Sequence, residues 1–376
     1  MKLNEICEVY SGYALKKFND IKDGMPVVKI GNIHVDGTLN LEMCQYTTED
    51  VDKKYYSNKG DVYIALSGAT TGKVGIMDTD DTYVINQRVG IIRQKNNGIP
   101  QEYIKYFLLR QTDRIFKEAT GCAQPNISPK QIADYIVPDI SKEKMYEICG
   151  IFNKIKKIID SRNAEISALD NLIKARFVEM FGACKNMLSM NELCSVITDG
   201  THQPPKFQKS GIPFIFVSNL ANNTVTYDTE KFISQETYSE LYKRTPIEIG
   251  DLLLSTVGSY GHPAVVVIDK KFLFQRHIAY LKPKCNIVNS FYLHSALLAP
   301  DGQRQIEGKV KGIAQKTLNL SEIKKIVVPI PPIEEQNEFE RFVHQVDKSK
   351  VVYMYILKTR KYLMYNSKYR EKVNCI

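Results

Sequence analysis

Two acids and a lysine in "PDGQRQIEGK" are the first residues here whose types and spacing could do chemistry. Pro300, Asp301, Glu307 and Lys309 imitate a nuclease arrangement in which two carboxylates hold Mg²⁺ and a lysine helps activate water. The match is short and degenerate. The corresponding stretch nearer the N-terminus, "LRQTDRIFKEA", lacks it, so no cleavage centre is expected. A second phrase, "GATTGKV" from Gly68, hints at a phosphate loop. It is one residue short of the GxxxxGK spacing and carries Val74 where a hydroxyl would hold magnesium. A turn between two strands accounts for it. His34, His202, His262, His277, His294 and His344 form no i,i+4 pair and no Ser–His–Asp phrase. The eight cysteines show no CxxC spacing, so neither a zinc ribbon nor any other metal site is expected. They read as buried or incidental thiols of a reducing cytoplasm.

With catalysis unsupported, the elements that carry these residues matter more. The chain writes "GCAQPNISPKQIADYIVP" from Gly121 and "GIAQKTLNLSEIKKIVVP" from Gly312. "GMPVVKIGNI" from Gly24 returns as "GIPFIFVSNL" from Gly211, and "GDVYIALSGATTG" from Gly60 as "GDLLLSTVGSYGH" from Gly250. "YVINQRVGIIRQK" from Tyr83 returns as "FLFQRHIAYLKPK" from Phe272. The order is the same and the offset drifts only between 187 and 191 residues. One large unit is duplicated, which predicts two similar domains related by a pseudo-two-fold axis. Each copy sets short β-branched runs between Gly, Asn and Asp punctuation, then a helical stretch, then a Val-Pro stop. Each copy is therefore mixed α/β.

After each stop the period changes. Ile148, Phe152, Ile155, Ile159, Arg162, Ile166, Leu169, Ile173, Arg176 and Met180 step by four and three without a break. At ~1.5 Å per residue this seam is ~50 Å long. The second copy gives Phe339, Val343, Val346, Lys350, Tyr353, Leu357, Arg360 and Met364, with Lys350 and Arg360 in apolar slots. Apolar residues flank both seams, so each helix is expected to touch more than one neighbour. The simplest arrangement is an antiparallel pair of long helices between two globular domains.

A net charge of +9 suits a polyanionic partner without demanding one. No apolar run is long enough to span a bilayer. The opening "MKLNEICEVYSGYALKK", interrupted by Glu5 and Glu8, reads as neither a signal peptide nor an anchor.

A duplicated α/β domain alternating with long helices resembles the specificity subunit of type I restriction–modification enzymes. "ITDGTHQPPKFQKSGIPFIFVSNL" and "VYSGYALKKFNDIKDGMPVVKIGNI" are similar to that family's openings of a target-recognition domain. "VPIPPIEEQNEF" from Val328 and "ARFVEMFG" from Ala175 resemble the start and end of its helical spacers. The first spacer begins "VPDISKEKMYEI" and lacks the Pro-Pro-x-Glu-Glu-Gln wording, so its junction is expected to be built differently.

The resemblance implies an α+β chain with a pseudo-two-fold repeat. Two similar α/β target-recognition domains, residues 1–140 and 183–331, are separated by long antiparallel coiled-coil spacers at 141–182 and 332–376. It implies a cytoplasmic, non-catalytic subunit that reads a bipartite, gapped site in double-stranded DNA. Two methyltransferase subunits, using S-adenosylmethionine to methylate adenine, would dock on the helices, and through them a restriction motor subunit. The chain itself needs no cofactor. Its Pro-Pro pairs, at Pro204 and Pro331, do not fit the methyltransferase loop that grips a flipped base. The alternatives are a DNA-reading module of another modification or phage-defence complex, or a stand-alone nuclease using the Asp301 group.

Base edges are read by Arg or Lys on guanine and Asn or Gln on adenine, and phosphates by Lys, Arg, Ser and Thr. Such residues are expected in loops. The first copy offers Lys29, Asn32, His34, Ser67, Thr70, Thr71, Lys73, Gln87, Arg88, Gln124 and Asn126. The second offers His202, Lys206, Asn219, Ser259, Tyr260, His262, Gln275, Arg276, Gln315, Lys316 and Asn319. Gln87-Arg88 recurs as Gln275-Arg276, and readers of different half-sites have no reason to share a base contact, so this pair suits phosphate or the fold. The differing pairs, Asn126 against Thr317 and Ser128 against Asn319, suit specificity. Ile151, Ile158 and Leu172 on the first helix, with Phe342 and Leu363 on the second, are the expected partner face.

Overall fold

The computed structural model describes residues 1–95, 98–119, 125–312 and 316–350 in full, and the backbone of 351–365. Gln124, Gln315 and the side chain of Leu363 lie outside the described residues. The chain divides into two compact units, Met1–Ile158 and Ile159–Ile376, and the division falls within one helix, Lys142–Phe181.

In the first unit β1 (Cys7–Ser11), β4 (Val62–Ala65), β5 (Val74–Ile76) and β7 (Val89–Gln94) form an antiparallel sheet in the order β1-β7-β4-β5. A smaller sheet, β3-β2-β6, pairs β2 (Met25–Val28) antiparallel with β3 (Gln45–Thr47) and parallel with β6 (Val84–Ile85). The run "VYIA" of β4 is apolar throughout because both of its faces are covered. Val62 and Ile64 join one core cluster, which the helix Gln101–Arg110 closes with Ile104 and Leu108. Tyr63 and Ala65 join another with Val28 and Ile85. Alternate side chains point to opposite faces of a strand, so two covered faces demand an unbroken apolar run.

The second unit adds a short pair, β8 (Met187–Ser189) with β16 (Val327–Pro329), and repeats the rest. Its main sheet is β13 (Pro263–Val265), β12 (Leu252–Ser255), β15 (Ile278–Pro283) and β9 (Cys194–Asp199) in that order. Its smaller sheet is β11 (Phe232–Ile233), β10 (Ile212–Ile215) and β14 (Leu273–Phe274). Both orders match the first unit strand for strand. The match extends to single bridges: Lys2 pairs with Ile136 where Ser189 pairs with Val327, and Ser67 pairs with Asn126 where Val257 pairs with Thr317. Even the tight crossings repeat. A Cβ on Gly12 would lie 2.3 Å from the Ile85 carbonyl oxygen, and one on Gly200 2.3 Å from that of Phe274. Only glycine lets the end of β1 or β9 pass this close to the neighbouring backbone. The duplicated sequence is a duplicated hydrogen-bond register.

Every seam residue of the helix Lys142–Phe181 from Ile148 to Met180 is half-buried. Ile151, Ile158 and Leu172, off the seam, are about half exposed. Within the second unit this helix runs antiparallel to the helix Ile333–Tyr365. Phe177 and Phe181 set their rings 5.5 and 5.6 Å from Phe339, and one turn and more towards the N-terminus Asp170 meets Lys350. Lys350 therefore occupies an apolar slot as a paired cation. Arg162 and Arg176 in the first seam likewise pair with Glu165 and Glu179, three residues on. Phe342, expected on the partner face, is half-buried against the core of the second unit, 6.2 Å from the Phe339 ring.

The missing Pro-Pro-x-Glu-Glu-Gln phrase also has a structural counterpart. Gln336 is fully buried; its amide donates to the carbonyls of Ile287 and Pro331, and its oxygen accepts from Asn289 N. Asn289 in turn caps the helix Ser290–Leu298. The repeat aligns Gln336 with Met145, which is buried in the apolar core of the first unit. A hydrogen-bonded junction in one copy is a hydrophobic junction in the other. Among the described residues no helix is long and apolar enough to cross a membrane.

Candidate nucleic-acid interface

Three loops of the first unit are stitched into one surface by backbone hydrogen bonds. Leu66 N donates to Arg88 O (2.9 Å), Ile127 N to Leu66 O (2.9 Å) and Gly68 N to Pro125 O (3.0 Å). The turn between β4 and β5, the turn between β6 and β7, and the segment around Asn126 are thus neighbours, although they lie far apart in sequence. Ser67, Thr70, Lys73, Gln87, Arg88 and Asn126 come together there. Gln87, Arg88 and Asn126 are exposed, and the others are half-buried.

The second unit repeats the construction. Thr256 N donates to His277 O (3.0 Å), Leu318 N to Thr256 O (2.8 Å) and Gly258 N to Lys316 O (3.2 Å). This brings together Ser259, Tyr260, His262, Gln275, Arg276, Lys316 and Asn319. Arg276, Ser259, Lys316 and Asn319 are exposed. Tyr260 is half-buried against the core, with the Lys316 ammonium 5.9 Å over its ring. Arg276 Nε donates to His277 Nε2 at 3.3 Å. The His277 pKa lies below the usual imidazole range because of burial and the adjacent guanidinium.

Several expected contacts are framework instead. Asn32 is buried; its amide oxygen accepts from Lys29 N (2.8 Å) and its NH₂ donates to Asn40 O (2.8 Å). Asn219 is buried in the same way, accepting from Phe216 N (3.0 Å) and donating to Asp228 O (2.9 Å). With donor and acceptor both engaged inside the chain, neither amide is available to adenine. Each closes the irregular segment after β2 or β10. Thr71 is buried too, its hydroxyl bonded to Gly68 O (2.6 Å) and Pro125 O (3.2 Å), so it fastens two loops together. Lys29 packs its ammonium 3.4 Å over the Phe18 ring and donates to Gln45 Oε1; burial lowers its pKa.

The remaining candidates sit elsewhere. His34 is exposed on a turn that its own backbone closes with Thr38 and Gly37. His202 and Lys206 occupy the exposed segment after β9, where His202 Nε2 lies 2.9 Å from Asp199, whose other oxygen binds Arg244 (2.8 Å). The hydroxyls of Ser67 and Thr70 are buried without a hydrogen-bond partner among the described residues. One residue absent from the expected set stands out. Asn223, in the left-handed region at φ 56°, accepts from His262 Nδ1 at 3.0 Å through its side chain and from His294 Nε2 at 3.0 Å through its carbonyl. Aligning the turns "VDG" and "NNT" places Asp36 against Asn223, which was the available signal.

Among the described residues this surface brings together hydroxyl, amide and basic side chains and no cluster of acids. Asp301 is an exposed ion pair with Arg304 (2.6 Å), and among the described residues no three His, Cys, Asp or Glu side chains converge as a metal site would require. Burial pushes the thiols of Cys7 and Cys194 up to about 12, so neither is a thiolate at neutral pH.

The type I restriction modification DNA specificity domain matches this chain twice, over residues 1–171 and 186–352. The chain is 22% identical to the EcoBI specificity subunit of Escherichia coli over 382 residues, covering 92% of this chain and 78% of that one. It is 22% identical over 388 residues to a putative specificity subunit, MjaX, of Methanocaldococcus jannaschii, covering 92% and 86%. Its fold is similar to a chain from a structural study of assembly and conformational transition in the type I R-M system. The TM-score there is 0.50, at 16% identity, with 97% of this chain and 94% of that chain covered. The duplicated register, the paired loop surfaces and the two family matches together place this chain in the family of type I restriction–modification specificity subunits, which recognise DNA sequence and are not themselves catalytic.

Proposed function

We propose that each unit reads one half of a bipartite target in double-stranded DNA, with an unspecified gap between the halves. One observation carries this reading. Two loop frameworks share their hydrogen bonds but differ in the side chains they present, with Ser67, Lys73 and Asn126 in one and Val257, His262 and Thr317 in the other. A common frame with different tips is what two readers of different half-sites require. The shared Gln87-Arg88 and Gln275-Arg276 pairs suit phosphate, which carries no sequence information.

On this reading the long helices set the gap and dock two adenine methyltransferase subunits, with restriction subunits joining through them. S-adenosylmethionine belongs to the methyltransferases. The exposed Ile151, Ile158 and Leu172 fall at heptad intervals beside the seam, with Glu165 at the intervening step, and support a docking face. The test is co-expression with the methyltransferase, co-purification, and sequencing of methylated adenines. The wild-type complex should methylate one split motif. Ile158→Asp should abolish co-purification, because it places an unpaired carboxylate in a dry contact, while isolated-chain DNA binding persists. A complex that assembles normally with this variant removes Ile158 from the interface.

A further inference from the structure

Lys73 and His262 occupy one backbone position in the two units. Each immediately precedes its edge strand, β5 or β13. Each follows a left-handed glycine, Gly72 at φ 85° or Gly261 at φ 80°. Each accepts through its carbonyl from the strand opposite: Ala65 N to Lys73 O at 2.9 Å, and Ser255 N to His262 O at 3.1 Å. The glycine N–H closes the same turn in both, onto Ala65 O and Ser255 O at 2.9 Å. Only the side chain differs, and with it the hydrogen-bonding polarity. A lysine ammonium can only donate.

His262 is set the other way. Its Nδ1 lies 3.0 Å from the Asn223 amide oxygen, which only accepts, so Nδ1 carries the hydrogen. Asn223 is itself held: its carbonyl takes a hydrogen bond from His294 Nε2 at 3.0 Å, and its φ of 56° suits asparagine better than most residues. Burial holds the His262 pKa below the usual imidazole value, so the ring is neutral at physiological pH. A neutral ring protonated on Nδ1 presents a bare lone pair at Nε2. His262 is half-exposed, and Nε2 has no partner among the described residues.

We propose that His262 is a specificity-determining residue that reads one base pair as an acceptor, taking a hydrogen bond from the exocyclic amine of adenine or cytosine in the major groove. Its counterpart Lys73 donates to guanine. Asn223 is the positioning residue that fixes the ring and its tautomer. In the major groove the amines of adenine and cytosine are the donors, while guanine N7 and O6 only accept. The same backbone thus reads opposite edges in the two units. The inference rests on the reading of these loops as the DNA face.

The experiment compares the full chain with its methyltransferase, as wild type, His262→Lys and Asn223→Ala, by methylation sequencing on a randomised duplex library. The wild-type motif should contain one position, in the half-site of the second unit, with adenine or cytosine on the strand His262 faces. His262→Lys borrows the residue that the same turn carries in the first unit, so the fold tolerates it. It should move that position to guanine, changing the preference by about tenfold, with all other positions kept. Asn223→Ala should relax the same position alone. If methylation by a variant is undetectable, binding of the purified chain to four duplexes, one for each base pair at that position, reads the same preference. An unchanged motif in all three proteins overturns the inference. A wild-type guanine that His262→Lys retains also overturns it, since His262 would then be a donor. A wild-type complex with no split motif at all removes the DNA reading first, and this inference with it.

Discussion

Lys350 Nζ lies 2.6 Å from the Asp170 carboxylate, joining two antiparallel helices at a slot that the heptad pattern reserves for an apolar side chain. Asp347 adds a second carboxylate at 2.8 Å. Burial alone would lower the Lys350 pKa, but the two carboxylates outweigh it and hold the ammonium above its usual range. A polar residue in a seam costs stability and fixes register, because a slipped pairing would leave the charge alone.

A double-mutant cycle on Lys350→Met and Asp170→Asn should give a coupling of about 0.5–1 kcal/mol. The modest size follows from the exposure of Asp170, which screens the pair. A raised lysine pKa makes the contribution complete below the unfolded value near 10.4 and lost as pH climbs through the folded value. The coupling should therefore be the same at pH 7 and at about pH 9. Additive single-variant effects in chemical denaturation would show that the pair does not hold the seam.

Much of this architecture was legible in the residues. The offsets between repeated phrases located both sheets, because strand runs and turn glycines had to be duplicated together. The steps of four and three located the seam, since a helix face shows itself locally. Side-chain roles were harder to read. Asn32 and Asn219 have the residue type and loop position of an adenine reader, yet both are buried braces; only burial separates the two roles. His262 depends on Asn223, 39 residues away, and Lys350 on Asp170 in another helix. Pairings of that kind are set by tertiary packing and leave no local pattern.

Gly200 should tolerate no side chain. Gly200→Ala places Cβ 2.3 Å from the Phe274 oxygen and 2.5 Å from that of Gln275, so backbone must move. The expected cost is about 1–3 kcal/mol, a fall of roughly 5 °C in the unfolding of the second unit. Gly31→Ala is the control, since nothing lies within 4 Å of its added Cβ. Equal melting of the two variants in calorimetry would contradict the crossing.

If the helices set the gap, lengthening them should lengthen it. Duplicating Ile166–Leu172 adds ~10 Å while nearly preserving the seam. At ~3.4 Å per base pair the gap grows by at most about three base pairs. Methylation sequencing should return the same half-site bases around a longer gap. An active variant with the original gap would mean that other parts of the complex measure the distance.

The most direct test of the account exchanges residues 1–140 for the first recognition domain of another family member and sequences the adenines that the resulting complex methylates. Two independent readers built on one duplicated frame predict a motif in which one half changes to the donor's sequence and the other half stays as it was. A change in both halves, or in neither while the complex remains active, would contradict the account.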